Sequence, residues 1–143
     1  MGSRRGLVAP QNTFLENIIK RSSGQHNCFI IGNARVVDYP IVFANEGFCK
    51  ISGFSKAEIM QQSSMLRFMW GDNTDPEICS QMEEAFEKQE MCQVEISVLK
   101  KTKSPLWLYL QIAPIRNEKD HVVLYLCTFR DITSLKEPLI KSL

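Results

Sequence analysis

The residues that could perform acid, base or nucleophilic chemistry are few and far apart in this sequence. The chain has two histidines: His26 stands in a polar stretch, and His121 precedes an apolar run. Neither has the surroundings of a catalytic triad, and the carboxylates show neither a two-metal nor a glycosidase pattern. One acidic group has helical spacing: Glu83, Glu84, Glu87 and Glu90. It predicts a solvated helix face rather than a metal site, so the sequence predicts no enzyme activity and no metal.

The cysteines indicate packing rather than cross-linking. They are five in number, widely spaced and mostly embedded in apolar runs: Cys28, Cys49, Cys79, Cys92 and Cys127. A disulfide framework or a Cys-x-x-Cys site requires a different spacing, so we expect reduced side chains that fill space in the core. The N-terminus lacks the apolar stretch of a secretory signal, which favours a cytosolic chain.

Composition predicts one domain without a strong overall charge. A chain of 143 residues with 44% hydrophobic composition suffices for a single core. Seventeen basic and sixteen acidic residues give a net charge of +1, which argues against nucleic acid as a partner. Lys100, Lys101 and Lys103 predict a solvated turn, with contact to acidic partner residues or lipid headgroups as the alternative. No apolar run approaches the roughly 20 residues that span a bilayer.

The N-terminal half predicts a tail, a helix and a hairpin. Residues 4–13 have no sustained period and predict a flexible tail. Residues 13–21 predict an amphipathic helix that must lie on an apolar surface, with its stripe formed by Phe14, Leu15, Ile18 and Ile19. After a polar turn over 22–27, residues 29–31 and 41–44 are β-branched or aromatic, which predicts two short strands.

Two helix starts precede the last third of the chain. Ser55 and Glu58 have the spacing of a capping box that opens a helix to about residue 62. Pro76 fits the first position of a second helix, which buries Ile78, Met82, Ala85 and Phe86. Period-2 alternation then predicts strands within 94–98, 106–112 and 122–129, which pair as an antiparallel meander. The expected fold class is therefore α+β, with helices on one face of an antiparallel sheet.

Alternation fails in the final strand, and this failure suggests an interface. Val123, Tyr125, Cys127 and Phe129 form one apolar row, and Val122, Leu124 and Leu126 form a second row on the opposite face. The same parity extends the second row through Phe29, Ile31, Ile41 and Phe43. Such a row predicts a docking surface. The alternative is that the helix at 13–21 covers the row, and both can hold for different parts of it.

Specific segments resemble the PAS family. Residues 45–55 (NEGFCKISGFS) resemble its Asn-x-x-Phe-x-x-x-Ser/Thr-Gly-Tyr/Phe segment, and residues 130–133 (RDIT) resemble the Asp-Ile-Thr that closes its core. The edges narrow the likeness, because residues 4–19 (RRGLVAPQNTFLENII) resemble the N-terminal cap of eag-family potassium channels. Residues 113–120 (APIRNEKD) and 126–133 (LCTFRDIT) resemble the end of the same domain. Residues 29–36 resemble the erg-type branch, whereas the final strands favour the eag type.

The resemblance implies a five-stranded PAS domain over residues 26–135. It implies a regulatory cap over 1–25 and the start of a linker to the channel's transmembrane region over 136–143. The implied location is the cytoplasmic side of the plasma membrane, within a tetrameric channel. The implied partner is the channel's C-terminal cyclic-nucleotide-binding-homology region and linker, and docking there would tune closing. The interface predicted from strand parity is Phe29, Ile31, Phe43, Leu124 and Leu126. The gating cap implied by the resemblance is Arg4, Arg5, Leu7, Val8, Phe14, Leu15 and Ile18.

Two alternatives stay open. Arg4 and Arg5 reach acidic groups near the gate, as the resemblance implies, or belong to a solvated tail. The chain is a regulatory module without a cofactor, or a PAS sensor that binds a cofactor or small ligand. In flavin photoreceptors the segment comparable to residues 65–69 reads Asn-Cys-Arg-Phe-Leu, and Leu66 stands at the cysteine position. A cysteinyl-flavin adduct therefore cannot form there, and the helix from Pro76 offers no histidine to a haem iron.

Overall fold

The computed structural model describes residues 2–136, with side chains from residue 13 onward. The elements in chain order are α1 (Gly2–Gln25), β1 (Phe29–Asn33), β2 (Ile41–Ala44), α2 (Glu46–Ser52), α3 (Lys56–Ile59), a 3-10 turn (Arg67–Met69), α4 (Pro76–Lys88), β3 (Cys92–Leu99), β4 (Pro105–Arg116), β5 (Val122–Asp131) and a second 3-10 turn (Thr133–Lys136). Within these residues no helix has the length and apolarity to cross a bilayer. The linker predicted over 136–143 lies almost wholly outside the described residues.

The five strands form one antiparallel sheet in the order β2-β1-β5-β4-β3. The hairpin of β1 with β2 and the meander from β3 to β5 are both as predicted. β5 reaches β1 in the centre of the sheet, where Ile31 stands opposite Leu126. The predicted α+β class with a five-stranded sheet is confirmed.

The main core lies on the inner side of the sheet, under α2, α3 and α4. The predicted inward rows of β3 and β4 are buried there: Val94, Ile96, Val98, Leu106, Leu108, Leu110 and Ile112. Phe48 of α2 packs on Phe129 with ring centroids 4.8 Å apart. The apolar period of β3 and of β4 therefore correctly identified their inward faces.

Two β-bulges overturn the predicted face of two residues. Val122 was expected on the outer face but packs in the main core, because the register shifts between Ile115 and Arg116 and one residue of β5 is left over. Ile41 was also expected on the outer face and is likewise in the main core, beside a shift between Ile31 and Gly32. A single extra residue reverses the parity on which the prediction relied.

The predicted caps are correct, but helix ends and phase differ. Ser55 and Glu58 form both hydrogen bonds of the capping box, and Asp75 caps α4 ahead of its first residue, Pro76. α3 ends at residue 59 rather than near 62, because Gln61 N donates to Ile41 O and ties the chain to β2. In α4 Cys79 is buried and Ile78 is only half-buried, so the stripe lies one residue later at its start.

α1 is longer than the sequence predicted. The sequence predicted a tail over 4–13, a helix over 13–21 and a turn from 22, whereas the helical backbone runs over Gly2–Gln25. Ser22 is buried and its carbonyl accepts from His26 N at 2.8 Å, which continues the last turn. Apolar spacing marks the packed part of a helix, and backbone hydrogen bonds decide its ends.

Candidate docking surface

The outer face of the sheet carries the residues predicted as an interface. Register places Ile31 between Phe43 of β2 and Leu126 of β5, so these three side chains form one row across the strands. The rings of Phe29 and Phe43 are 5.7 Å apart and tilted by 31°. Leu124 lies one pleat further along β5 from Leu126 and stands opposite Ile115. The structure therefore brings all five predicted residues into one apolar cluster.

α1 lies over this cluster. Ile18 is 7% exposed and packs with Phe29 and Ile31, which are fully buried. The rest of the apolar stripe of α1 packs against the same cluster and is half-buried: Phe14, Leu15 and Ile19. The alternative that α1 covers part of the row is therefore correct, since an amphipathic helix removes its own stripe and the sheet row from water together.

Because α1 lies over only part of the cluster, the predicted interface contains both covered and accessible residues. Phe29 and Ile31 lie beneath the helix and are closed to any partner while α1 stays in place, which corrects the picture of one open row. Phe43, Leu124 and Leu126 remain half-buried. Of the predicted cap, the side chains of Arg4, Arg5, Leu7 and Val8 lie outside the described residues.

In the Asn-x-x-Phe segment, the side chain of Asn45 connects α2, on the inner side of the sheet, with the start of β1. Asn45 Oδ1 accepts from Phe29 N and Phe48 N, each at 3.0 Å, and its Nδ2 donates to Asn27 O at 3.0 Å. One amide thus caps α2, with Phe48 beneath it, and fixes the start of β1. Gly47 is required nearby, because a β carbon there would collide with the Asn27 carbonyl. These bonds hold Phe29 at the edge of the outer cluster.

The Asp-Ile-Thr segment closes the sheet where β5 ends, beside β4. Asp131 Oδ1 accepts from Thr133 N at 3.0 Å, and Thr133 Oγ1 accepts from Trp107 N at 3.0 Å. Ile132 is buried, and its N–H donates to Trp107 O at 2.9 Å. The segment therefore continues the pairing of β5 with β4 past the end of the strand.

Sequence reasoning missed a polar half of the outer face. Lys136 Nζ lies 4.8 Å from the Trp107 ring centroid and 2.7 Å from a Glu95 carboxylate oxygen. Further along the same face, Gln111 Nε2 donates to Tyr109 OH at 3.2 Å. Alternation in β4 signalled these outward residues, but nothing in the sequence indicated that Lys136 returns to them.

Aromatic and aliphatic side chains fill the interior between helices and sheet. Tyr39 stacks on Phe86 at 4.7 Å, and Tyr125 meets Phe86 edge to face and donates its hydroxyl to Phe86 O at 2.6 Å. Burial raises the pKa of Tyr125 to about 12, so it stays a neutral donor. Leu66, at the position compared with the flavin-binding cysteine, is fully buried in this packing.

The cysteines lie in this packing as unreactive thiols. All five are free, and Cys28, Cys79 and Cys127 are buried. Burial raises the pKa of Cys28 to about 12 and also raises the pKa of Cys127. Because the thiolate is the reactive form, these thiols favour a packing role.

Comparison with known proteins identifies the family. A family model described as PAS domain matches residues 26–134. The human voltage-gated delayed rectifier potassium channel KCNH1 is 54% identical over 138 residues, and KCNH5 is 51% identical over the same length. The potassium voltage-gated channel protein eag of Drosophila melanogaster is 51% identical. Each match covers 96% of this chain, and the chain spans 14% of the length of these relatives.

Solved structures agree with the sequence matches. The PAS domain of the fruit-fly ELK potassium channel superposes with a TM-score of 0.81 at 38% identity, over 84% of this chain and 98% of that one. A light-oxygen-voltage domain studied with a flavin analogue superposes with a TM-score of 0.76 at 26% identity, over 88% and 93%. The chain therefore belongs to the PAS domain family, as a PAS domain whose relatives are voltage-gated potassium channels of the eag family.

Proposed function

We propose that this chain is a regulatory cytoplasmic domain of a voltage-gated potassium channel. It docks on the channel's C-terminal cyclic-nucleotide-binding-homology region and linker and thereby tunes closing of the tetramer. The observation that carries the proposal is the outer apolar cluster, in which Phe43, Leu124 and Leu126 stay half-buried although α1 lies over their neighbours. Its relatives are voltage-gated potassium channels, which supports a place within a channel, and the eag-family resemblance implies the C-terminal partner region.

Weak intrinsic affinity is sufficient for this role. Full burial of a large apolar side chain contributes about 1.5–3 kcal/mol, and these three residues have part of that burial left to gain. Association of two separate molecules costs roughly 4–15 kcal/mol of translational and rotational freedom. When both surfaces belong to one channel, the covalent connection reduces that cost, because each surface then meets the other at an effective concentration of about millimolar. The small remaining surface is therefore compatible with docking inside a channel.

The interior supports a module without a cofactor over a ligand sensor. Leu66 lacks the thiol that a covalent flavin adduct needs, and Phe86, Tyr125 and Leu66 occupy the space between helices and sheet with almost no exposure. An absorbance spectrum of the purified chain with a flavin or Soret band would favour the sensor instead.

The decisive experiment removes the exposed part of the cluster. We expect Phe43→Ser with Leu124→Ser to weaken capture by the C-terminal region by roughly 30- to 100-fold, since two half-buried apolar contacts are lost. The measurement is a binding titration between the chain and that region, with circular dichroism to verify the fold.

A matched control separates docking from general destabilisation. Ile51 and Ile78 are also half-buried and pack against the main core, on the inner side of the sheet. The control variant Ile51→Ser with Ile78→Ser should bind as the unchanged chain does, at a temperature where both variants are folded. Unchanged binding of the outer-face variant would remove the docking role of this surface.

We extend the proposal to the cap. The resemblance to eag-family channels supports a role for Arg4 and Arg5, which would reach acidic groups of the channel near the gate. Deletion of residues 2–12 should change closing kinetics of the whole channel while leaving the α1 contacts from Phe14 onward. Closing at the unchanged rate would make this segment a solvated tail.

A further inference from the structure

Two turns that are distant in sequence bring five lysines to one end of the domain. The turn between α2 and α3 carries Lys50 in the last turn of α2 and Lys56 in the first turn of α3. The turn between β3 and β4 carries the other three: Lys100, Lys101 and Lys103. The sequence analysis considered the second turn alone and predicted a solvated turn, with contact to acidic partner residues or lipid headgroups as the alternative.

Backbone contacts hold the two turns side by side. Lys101 N donates to Ser52 O at 2.9 Å, and a β carbon added at Gly53 would lie 3.6 Å from Lys101 Cβ. Gly53 adopts a φ of +81° as the left-handed cap of α2, a conformation that favours glycine. Lys101 Nζ also bonds to Glu58 Oε2 at 2.6 Å. The lysines therefore form one surface, which we call the lysine end, and not two separate turns.

Most of this positive charge is unpaired. Among the residues that the structure describes, only Lys101 of the five has a carboxylate oxygen within ion-pair distance. Two further acids lie near this end, Glu46 one helical turn before Lys50 and Asp72 beyond Gly71 beside Leu99, so the five lysines exceed the three carboxylates by two. Lys50, Lys56 and Lys103 are exposed. The lysine end thus carries a local positive field although the whole chain has a net charge of only +1.

We propose that the lysine end binds the anionic surface of a lipid bilayer. Lysines are compact point charges on flexible stems, suited to a diffuse layer of headgroups, whereas paired recognition of a carboxylate favours the planar fork of arginine. Juxtamembrane lysines bind acidic lipids through their field, without a shaped pocket. A membrane is nearby because the chain is proposed to lie within a channel. This is the one point at which the inference rests on the proposed function. Binding here would orient the domain, with its outer face still available for docking.

Vesicle binding tests the proposal without the channel. At about 0.1 M salt, where the Debye length is about 10 Å, the unchanged chain should bind vesicles of phosphatidylcholine with phosphatidylserine and should not bind phosphatidylcholine alone. The variant Lys50→Gln, Lys56→Gln, Lys103→Gln should bind about 100-fold more weakly, from about fivefold per lysine. It leaves the Lys101–Glu58 pair intact. Raising the salt concentration should release the unchanged chain, since the Debye length falls to about 3 Å at 1 M.

The control variant removes the same charge elsewhere. Lys20, Arg35 and Lys119 are exposed and lie on α1, the β1–β2 connection and the β4–β5 turn. Their replacement by glutamine should leave binding within about threefold of the unchanged chain, because distant charges are screened. Equal loss in both variants would assign binding to total charge and overturn the proposal. Equal binding of the unchanged chain to both vesicle types would also overturn it, whatever the variant does to docking on the C-terminal region.

Discussion

Both sides of the sheet carry an apolar cluster, but the two clusters are buried in different ways. On the inner side α2, α3 and α4 pack against the strands, and side chains such as Phe48 and Phe86 are almost fully buried. On the outer side α1 alone provides the cover. Among the described residues of α1, only Ile18 is a buried member of the apolar cluster. An apolar face closed by several elements makes a core, whereas one closed by a single helix can exchange its cover for a partner.

The largest effect is expected on the inner side. Phe48→Ala removes a fully buried ring of the main core that packs 4.8 Å from the Phe129 ring, and its buried neighbours close the resulting cavity only in part. We expect a loss of about 3–5 kcal/mol in the free energy of unfolding. Urea denaturation followed by circular dichroism measures it. A loss below about 1 kcal/mol would mean that the inner packing relaxes as easily as a surface.

A smaller effect is expected where α1 meets the outer face. Ile18→Ala removes the most buried contact of α1 with Phe29 and Ile31, but its half-buried neighbours can adjust. We expect about 1–2 kcal/mol, together with faster amide hydrogen exchange in α1 and an unchanged rate in β4. Exchange that accelerates equally in both elements would make α1 an integral part of the core.

Tyr125 on the inner side of the sheet and Tyr109 on the outer side allow the same substitution to be compared between the two sides. Tyr125→Phe removes the 2.6 Å hydrogen bond to Phe86 O in the interior, whereas Tyr109→Phe removes a 3.2 Å bond to Gln111 on the half-exposed outer face. Phe86 O keeps its backbone bond from Gln89 N at 3.3 Å, so the first variant should lose only the net worth of one hydrogen bond, about 0.5–1.5 kcal/mol, and the second hardly anything. Parallel thermal melts compare them, and equal losses would contradict the distinction between the two sides.

The smallest effect is expected at an ion pair outside both faces. Hydrogen bonds from Lys101 and from the backbone of Ser55 lower the pKa of Glu58 below its ordinary value. The carboxylate therefore stabilises the fold above its unfolded pKa, and this contribution disappears as the pH falls through the lower folded pKa. Because Glu58 is exposed, Glu58→Gln should only slightly reduce the fall in melting temperature between about pH 6 and about pH 3. A large reduction would show a stronger bond than an exposed pair provides.

Local sequence determined the elements of this protein. Alternation identified the inward rows of β3 and β4, and the capping box at Ser55 and proline at residue 76 marked two helix starts. The segments at 45–55 and 130–133 identified the family, because an Asn cap and an Asp-Ile-Thr closure need particular side chains at particular spacing. Each of these signals depends on neighbours within a few positions, which is why the sequence carries it.

Only the tertiary structure decided which apolar residues stay accessible. The sequence placed Phe29, Ile31, Phe43, Leu124 and Leu126 on one face but did not show that α1 closes two of them. Two bulges moved Val122 and Ile41 to the inner side, and a contact between Ser52 and Lys101 joined two lysine turns. Register shifts and contacts between distant segments depend on the packing of the whole chain, so the local sequence pattern does not indicate them.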